Sequence, residues 1–167
     1  AEGLGVADVP IYMGTLGKAL GCFGAFVAGS EALIEGLVQF ARSYVYTTAL
    51  PPALASAICV AVQIAKFEDW RRDRLRRAIA RFRQGATMRG LKVLPSMTPI
   101  QPVMVGASHD AARLSERLAQ RGFYVPAIRP PTVVEGQARL RVSLTALHQD
   151  DDIENLLEAL IATQKPK

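Results

Sequence analysis

The sequence predicts a mixed α/β chain in which strands and helices alternate around a long helical stretch. Three observations carry that expectation. Short apolar runs of strand length, several of them closed by glycine, alternate with segments whose apolar residues recur every three or four positions. A pattern rich in Ala, Val and Ile follows Pro51-Pro52 and continues into an arginine-rich amphipathic segment. From about residue 85 onward, short strands and helices mix closely enough to suggest a compact α+β domain.

Taken in order, Val9 to Met13 is a short apolar, strand-like run, and Gly24 to Ala28 is a second one, closed by Gly29-Ser30. Ser30 with Glu31 opens a helix whose apolar positions Leu33, Ile34, Leu37, Val38 and Phe40 keep a helical period to about Arg42. Tyr44 to Leu50 reads as extended and ends in Pro51-Pro52, which suits a helix N-terminus and not a helix interior. The following pattern is either one long helix or two joined near Trp70, stopping around Gly85 to Gly90. Leu91 to Leu94 and Ile100 to Val105 look like strands. Ser108 to Gln120 is a helix with Ser108 as a plausible cap and Gly122 just past its end. Tyr124 to Ile128 is a strand broken by Arg129-Pro130-Pro131, and Arg139 to Leu144 alternates as a half-buried strand does. A last helix runs from about Asp150 to Thr163, and its acidic first turn suits the helix dipole.

Composition bounds what this chain can be. Half of its 167 residues are apolar, which fits a globular protein with a sizeable core. No apolar run is long enough to span a bilayer, and no basic stretch followed by an apolar one suggests a signal peptide. Cys22 and Cys59 are isolated, with neither metal-ligand spacing nor the density of a disulfide scaffold, so a reduced, cytoplasmic setting is expected. The formal charge of +5 is concentrated in Arg71, Arg72, Arg74, Arg76, Arg77, Arg81 and Arg83. Leu75, Ile79 and Phe82 recur within that segment at helical spacing, so it reads as a solvated helix face partly neutralised by Glu68, Asp69 and Asp73. Aromatic interleaving of the kind that binds nucleic acid is not evident, although the patch could attract an anionic, phosphate-bearing substrate.

The most chemically informative segment is Gly14-Thr15-Leu16-Gly17-Lys18-Ala19-Leu20-Gly21. A lysine among glycines and small residues, beside a hydroxyl, is poorly placed as an ordinary surface charge. Small neighbours let a planar group approach the backbone, and a desolvated amine can lose its proton and act as a nucleophile. Arg139 and Arg141 share one face of their strand, where one of them could clamp a carboxylate while the other pairs structurally. His109 and His148 lie near helix starts and read as caps or surface decoration.

Three pieces stand together: the Gly14 to Gly21 loop, Tyr46-Thr47-Thr48-Ala49-Leu50-Pro51-Pro52, and Ala127-Ile128-Arg129-Pro130-Pro131-Thr132-Val133 followed by Arg139-Leu140-Arg141. Through almost its whole length the chain resembles the α-oxoamine synthases, pyridoxal-phosphate enzymes of the fold-type I superfamily. The Ile128 to Val133 run points within that family to the branch that serves biotin synthesis. The resemblance implies an α/β fold that is the C-terminal part of a fold-type I transferase. Residues 1–70 would be the end of the large domain and the start of a connecting helix; residues 71–167 would be the end of that helix and a small α+β domain. Val134 and Glu135 depart from the pattern where relatives often carry proline. The aromatic residue, aspartate and histidine that complete the site in relatives precede the lysine loop, so the 167-residue chain alone is expected to bind cofactor weakly and to show no turnover.

The roles below are what the resemblance implies. Lys18 would form a Schiff base with pyridoxal 5'-phosphate and then serve as the base that removes the α-proton of the substrate. Thr15 would bind the cofactor phosphate, and Thr47 and Thr48 would reach across a homodimer to the partner subunit's phosphate. Arg141 would clamp the amino-acid carboxylate, while Arg129 and Thr132 would border the acyl-thioester substrate. The substrates implied are L-alanine and a pimeloyl thioester, carried by coenzyme A or a carrier protein, with no nucleic acid, metal or membrane involved. Two other readings are a sister enzyme that uses glycine or serine with another acyl-CoA, and a non-catalytic α+β binding module whose basic helix meets RNA or an acidic partner.

Overall fold

Residues 9–29 fold as a β-hairpin in the computed structural model, which describes residues 3–164. Strand β1 (Ile11–Thr15) pairs antiparallel with β2 (Ala25–Gly29), Ile11 opposite Gly29 and Thr15 opposite Ala25. Helix α1 (Glu31–Phe40) follows at once, and the Ser30 hydroxyl accepts a hydrogen bond of 3.2 Å from the Leu33 amide, as the capping pattern requires. A further helical turn, α2 (Arg42–Val45), occupies the start of the segment expected to be extended. The reason is local: the Ala41 carbonyl accepts from both Tyr44 and Val45, and the Arg42 guanidinium lies 6.0 Å from the centre of the Tyr46 ring. β-Branched and aromatic residues lower helix propensity but do not forbid one turn.

Pro52 begins α3 (Pro52–Phe67), and the chain leaves helical geometry at Glu68 before α4 (Asp69–Met88). The long helical stretch is therefore two helices. The chain divides into two compact units, one ending at Asp69 and one beginning at Trp70.

In the second unit an antiparallel sheet runs in the order β3 (Ile100–Gly106), β5 (Ala138–Ser143), β4 (Ala127–Ile128). Helices α4, α5 (Ser108–Ala119) and α6 (Asp150–Gln164) contribute to the core formed against it. Phe82 of α4, Leu118 of α5, Leu140 of β5 and Ile153, Leu157 and Leu160 of α6 are fully buried there. Alternation does the sorting in the sheet. Leu140 and Val142 turn to the core, and Arg139 and Arg141 turn to the opposite face.

Three local expectations are corrected. Leu91 to Leu94 is not a strand; only Val93 forms a bridge, to Val103. The Met104 amide donates to Lys92 O and the Leu94 amide to Pro102 O, but Pro102 has no N–H to return the bond, so the ladder stops. Ser108 is the first helical residue rather than the cap, a position held by Ala107 without any side-chain bond. The strand expected over Tyr124 to Ile128 is reduced to Ala127–Ile128, although Arg141 also donates its amide to Pro126 O.

Candidate active site

Lys18 sits in the loop that joins β1 to β2. The Leu16 amide donates to Gly24 O at the base of the loop, and inside it Cys22 donates to Leu16 O and Gly21 to Lys18 O, each at 2.9 Å. Gly21 closes that inner turn with φ of 62°, a conformation in which a side chain would be strained. Leu16 is buried beneath the loop, so the segment is anchored at one apolar residue while Lys18 projects into solvent. Its Nζ donates to Thr15 Oγ1 at 3.3 Å. The loop thus presents a primary amine and a hydroxyl together on a fixed turn.

Gly14 has a role that the sequence did not disclose. A Cβ there would lie 2.7 Å from the Phe26 ring, and that ring is itself 5.6 Å, centre to centre, from Tyr12. The missing side chain lets Phe26 cross the hairpin; the space is filled by the protein's own ring rather than held open for a ligand. Thr47 and Thr48 follow α2 in irregular backbone, both exposed, and the Thr47 amide donates to Tyr44 O at 3.3 Å. No hydrogen bond joins them to the lysine loop among the described residues.

In the second unit, Arg129 and Thr132 form one exposed turn across the cis Pro130–Pro131 bond, closed by the Thr132 amide on Arg129 O at 3.0 Å. Arg141 stands on the open face of β5, directly across from Pro102 of β3. The two arginines of that strand differ in their partners. Arg139 is half-buried and its guanidinium bonds to the backbone and side chain of Gln137. Arg141 is exposed, and its guanidinium meets no partner among the described residues. Ile100, Pro102 and Met104 share the open face with it, because they pair with Ser143, Arg141 and Arg139 in register.

The arginine run of α4 is largely occupied. Arg76 pairs with Asp73, Arg81 with Asp150 and Glu154, and Arg74 bonds to Gln149, while Arg83 turns toward the core side and bonds to Leu94 O and Gln101. The His148 ring accepts the Thr145 amide through Nδ1 at 3.0 Å, and His109 lies 3.3 Å from Asp110, so both histidines act locally. Sequence reasoning placed Arg83 in a solvated run and Gln101 in a strand but gave neither a role of its own, nor one to the apolar residues around Arg141. Gln101 was the available signal, since it is a polar amide in the middle of an apolar strand.

The chemistry-bearing features are thus, each in its own unit of a mixed α/β chain, a lysine on a glycine-closed hairpin loop and an arginine without a guanidinium partner on an open strand face. The model of aminotransferase class I and II matches residues 4–160, so the chain belongs to that family. Within it, the chain is 58% identical over 159 residues to the 8-amino-7-oxononanoate synthase of Nitrosococcus oceani, covering 95% of this chain and 42% of that one. The crystal structure of 8-amino-7-oxononanoate synthase from Francisella tularensis superposes with a TM-score of 0.81 at 33% identity, over 94% of this chain and 46% of that chain. A serine palmitoyltransferase solved with pyridoxal phosphate (PLP) superposes with a TM-score of 0.87 at 25% identity, over 95% of this chain and 41% of that chain. The chain spans about two fifths of the length of the curated relatives it matches.

Proposed function

We propose that these residues serve a PLP-dependent enzyme that condenses L-alanine with a pimeloyl thioester, losing carbon dioxide and the thiol, to give 8-amino-7-oxononanoate for biotin synthesis. The observation that carries the reading is the 58% identity to an 8-amino-7-oxononanoate synthase across nearly all of this chain, the lysine loop included. The donor set suits the cofactor: a solvent-facing primary amine with a hydroxyl 3.3 Å away fits a phosphorylated aldehyde.

In this reading Lys18 and Thr15 hold PLP, Lys18 through its amine and Thr15 through a hydrogen bond to the phosphate, with Thr47 and Thr48 serving the phosphate of a partner subunit. When bound, PLP supplies an electron sink for negative charge developing at the α-carbon of the amino acid. Lys18 Nζ takes the α-proton from L-alanine and later returns a proton to the product carbon. Arg141 grips the alanine carboxylate with its planar fork, fixing which α-carbon bond lies in position to break. Arg129 and Thr132 border the pimeloyl chain, on a turn stiffened by two prolines. In this reading the enzyme acts as a homodimer in the cytoplasm. Among the described residues no helix is long and apolar enough to cross a membrane.

A second reading, condensation of serine or glycine with a different acyl thioester, rests on the likeness to serine palmitoyltransferase, at a TM-score of 0.87 and 25% identity. Steady-state assays with competing amino acids and pimeloyl thioester separate the two. L-Alanine should have the highest kcat/KM, and a preference for serine or glycine would replace the first reading with the second.

A further inference from the structure

Arg83 and Gln101 form a polar joint under the sheet, on the face away from Arg141. Gln101 is fully buried, and both ends of its amide are used: Oε1 accepts from Arg83 Nη1 at 2.9 Å, and Nε2 donates to Thr98 O at 2.7 Å and Ser96 O at 3.3 Å. Arg83 Nη1 also donates to Leu94 O at 3.0 Å. One guanidinium on α4 therefore ties both ends of the 94–101 turn to the helix. The turn is also braced from within, by Ser96 Oγ donating to Ile100 O at 2.7 Å and by the Ile100 amide donating to Thr98 Oγ1 at 3.2 Å.

This joint is unusual because it spends a charge on neutral oxygens. Both partners of the Arg83 guanidinium are carbonyl or amide oxygens, whereas Arg81 and Arg89 of the same helix pair with the carboxylate of Glu154 on α6. Bonds of that kind reward one geometry rather than charge proximity. The residue they fix is Gln101, which immediately precedes Pro102, and Pro102 is the register partner of Arg141. One side of β3 is paired with β5 from Ile100 onward, but on the other side Pro102 has no N–H to give the 92–94 segment, and there the joint adds to the single bond from the Leu94 amide to Pro102 O.

Resting on the proposed reading of Arg141 as the carboxylate clamp, we infer that Arg83 and Gln101 are positioning residues for it. They hold the first residues of β3 against β5, so that the Arg141 guanidinium meets the substrate carboxylate in a single orientation. Neither residue reaches the open face, so their effect on the substrate carboxylate passes through the placement of Arg141.

The test uses the holoenzyme with Arg83→Met, Arg83→Lys, Gln101→Leu and, as a control on the clamp itself, Arg141→Met. Arg83→Met and Gln101→Leu should raise the half-saturating L-alanine concentration on the order of tenfold, the scale of cost for a misplaced binding group, with kcat and the half-saturating thioester concentration little changed. Arg83→Lys, which can still donate to both oxygens, should recover most of the loss. Hydrogen exchange should quicken at amides of 94–102 and 140–142 in Arg83→Met and stay unchanged in α5. Unchanged alanine dependence in a folded Arg83→Met protein overturns the inference. So does a loss shared equally by both substrates and PLP retention, or a lysine variant no better than the methionine one. If wild-type enzyme shows no saturable use of any amino acid, or Arg141→Met leaves amino-acid dependence intact, the reading of Arg141 fails first and takes the positioning role with it.

Discussion

Gly85→Ala sets a helix-favouring change against a packing clash, and the structure predicts which wins. Gly85 is buried in α4, and a Cβ there would lie 2.5 Å from Leu157 Cδ1 and 3.1 Å from Arg89 Nη1. Replacing a mid-helix glycine by alanine gains about 1 kcal/mol where space is open. Here Leu157 is fully buried and held among Phe82, Leu160 and Ile153, so it cannot swing away without disturbing the α4 to α6 packing. Overpacking of this kind costs roughly 1–3 kcal/mol, and a contact this short belongs at the upper end. The net expectation is a loss of about 1–2 kcal/mol, a fall in Tm on the order of 5–15 °C for a unit of this size. Urea unfolding followed by far-UV circular dichroism and by the fluorescence of Trp70 measures it. Leu157→Ala in the Gly85→Ala background should cost less than Leu157→Ala alone, giving a coupling of about 1 kcal/mol or more. Gly85→Ala protein as stable as wild type, or additive effects in that cycle, would refute the claim that the two helices meet through the absent side chain.

Other expectations concern the site. Lys18→Ala should abolish the near-visible absorbance of bound PLP and lower turnover by roughly 100-fold or more, read by titration with PLP and single-turnover assay. Arg141→Met should raise the half-saturating alanine concentration by about 10- to 100-fold, the scale of a lost hydrogen-bonded charge pair, with a smaller effect on the thioester. Competition between L-alanine and glycine should favour alanine by about 10- to 200-fold in kcat/KM, the value of one methyl group in a fitted pocket.

Much of this architecture was legible because its signals are local. Ser30 caps α1 as its position suggests, Pro52 opens α3, and the alternation of Arg139 to Leu144 reports the two faces of β5. What escaped was decided by neighbours distant in sequence. The 91–94 segment has strand composition, but Pro102 withholds the hydrogen bond that would extend its ladder. Nothing near Gly14 in the sequence announces that its missing side chain seats Phe26, twelve residues on. In the arginine run nothing in composition separates Arg83 from Arg81, yet one turns under the sheet to carbonyls and the other outward to carboxylates. Among the candidate site residues, the lysine loop stood out by its glycines and the alternation of 139–144 put both arginines on one face, whereas the difference between Arg139 and Arg141 depends on where Gln137 lies.

The two ways in which α4 is held respond differently to ionic strength. Toward α6 the grip is ionic and half-exposed: Glu154 is shared between Arg81 at 3.1 Å and Arg89 at 3.0 Å, with Asp150 adding a second contact to Arg81. Such pairs contribute up to about 1 kcal/mol each and are screened by salt. Toward the 94–101 turn the grip is a guanidinium on carbonyl oxygens, which dissolved ions have little means to weaken. Raising salt from low to molar concentration should therefore loosen α6 from α4 while the turn beneath Arg141 keeps its protection from exchange. A helix fastened this way can yield on one flank without disturbing what it supports on the other.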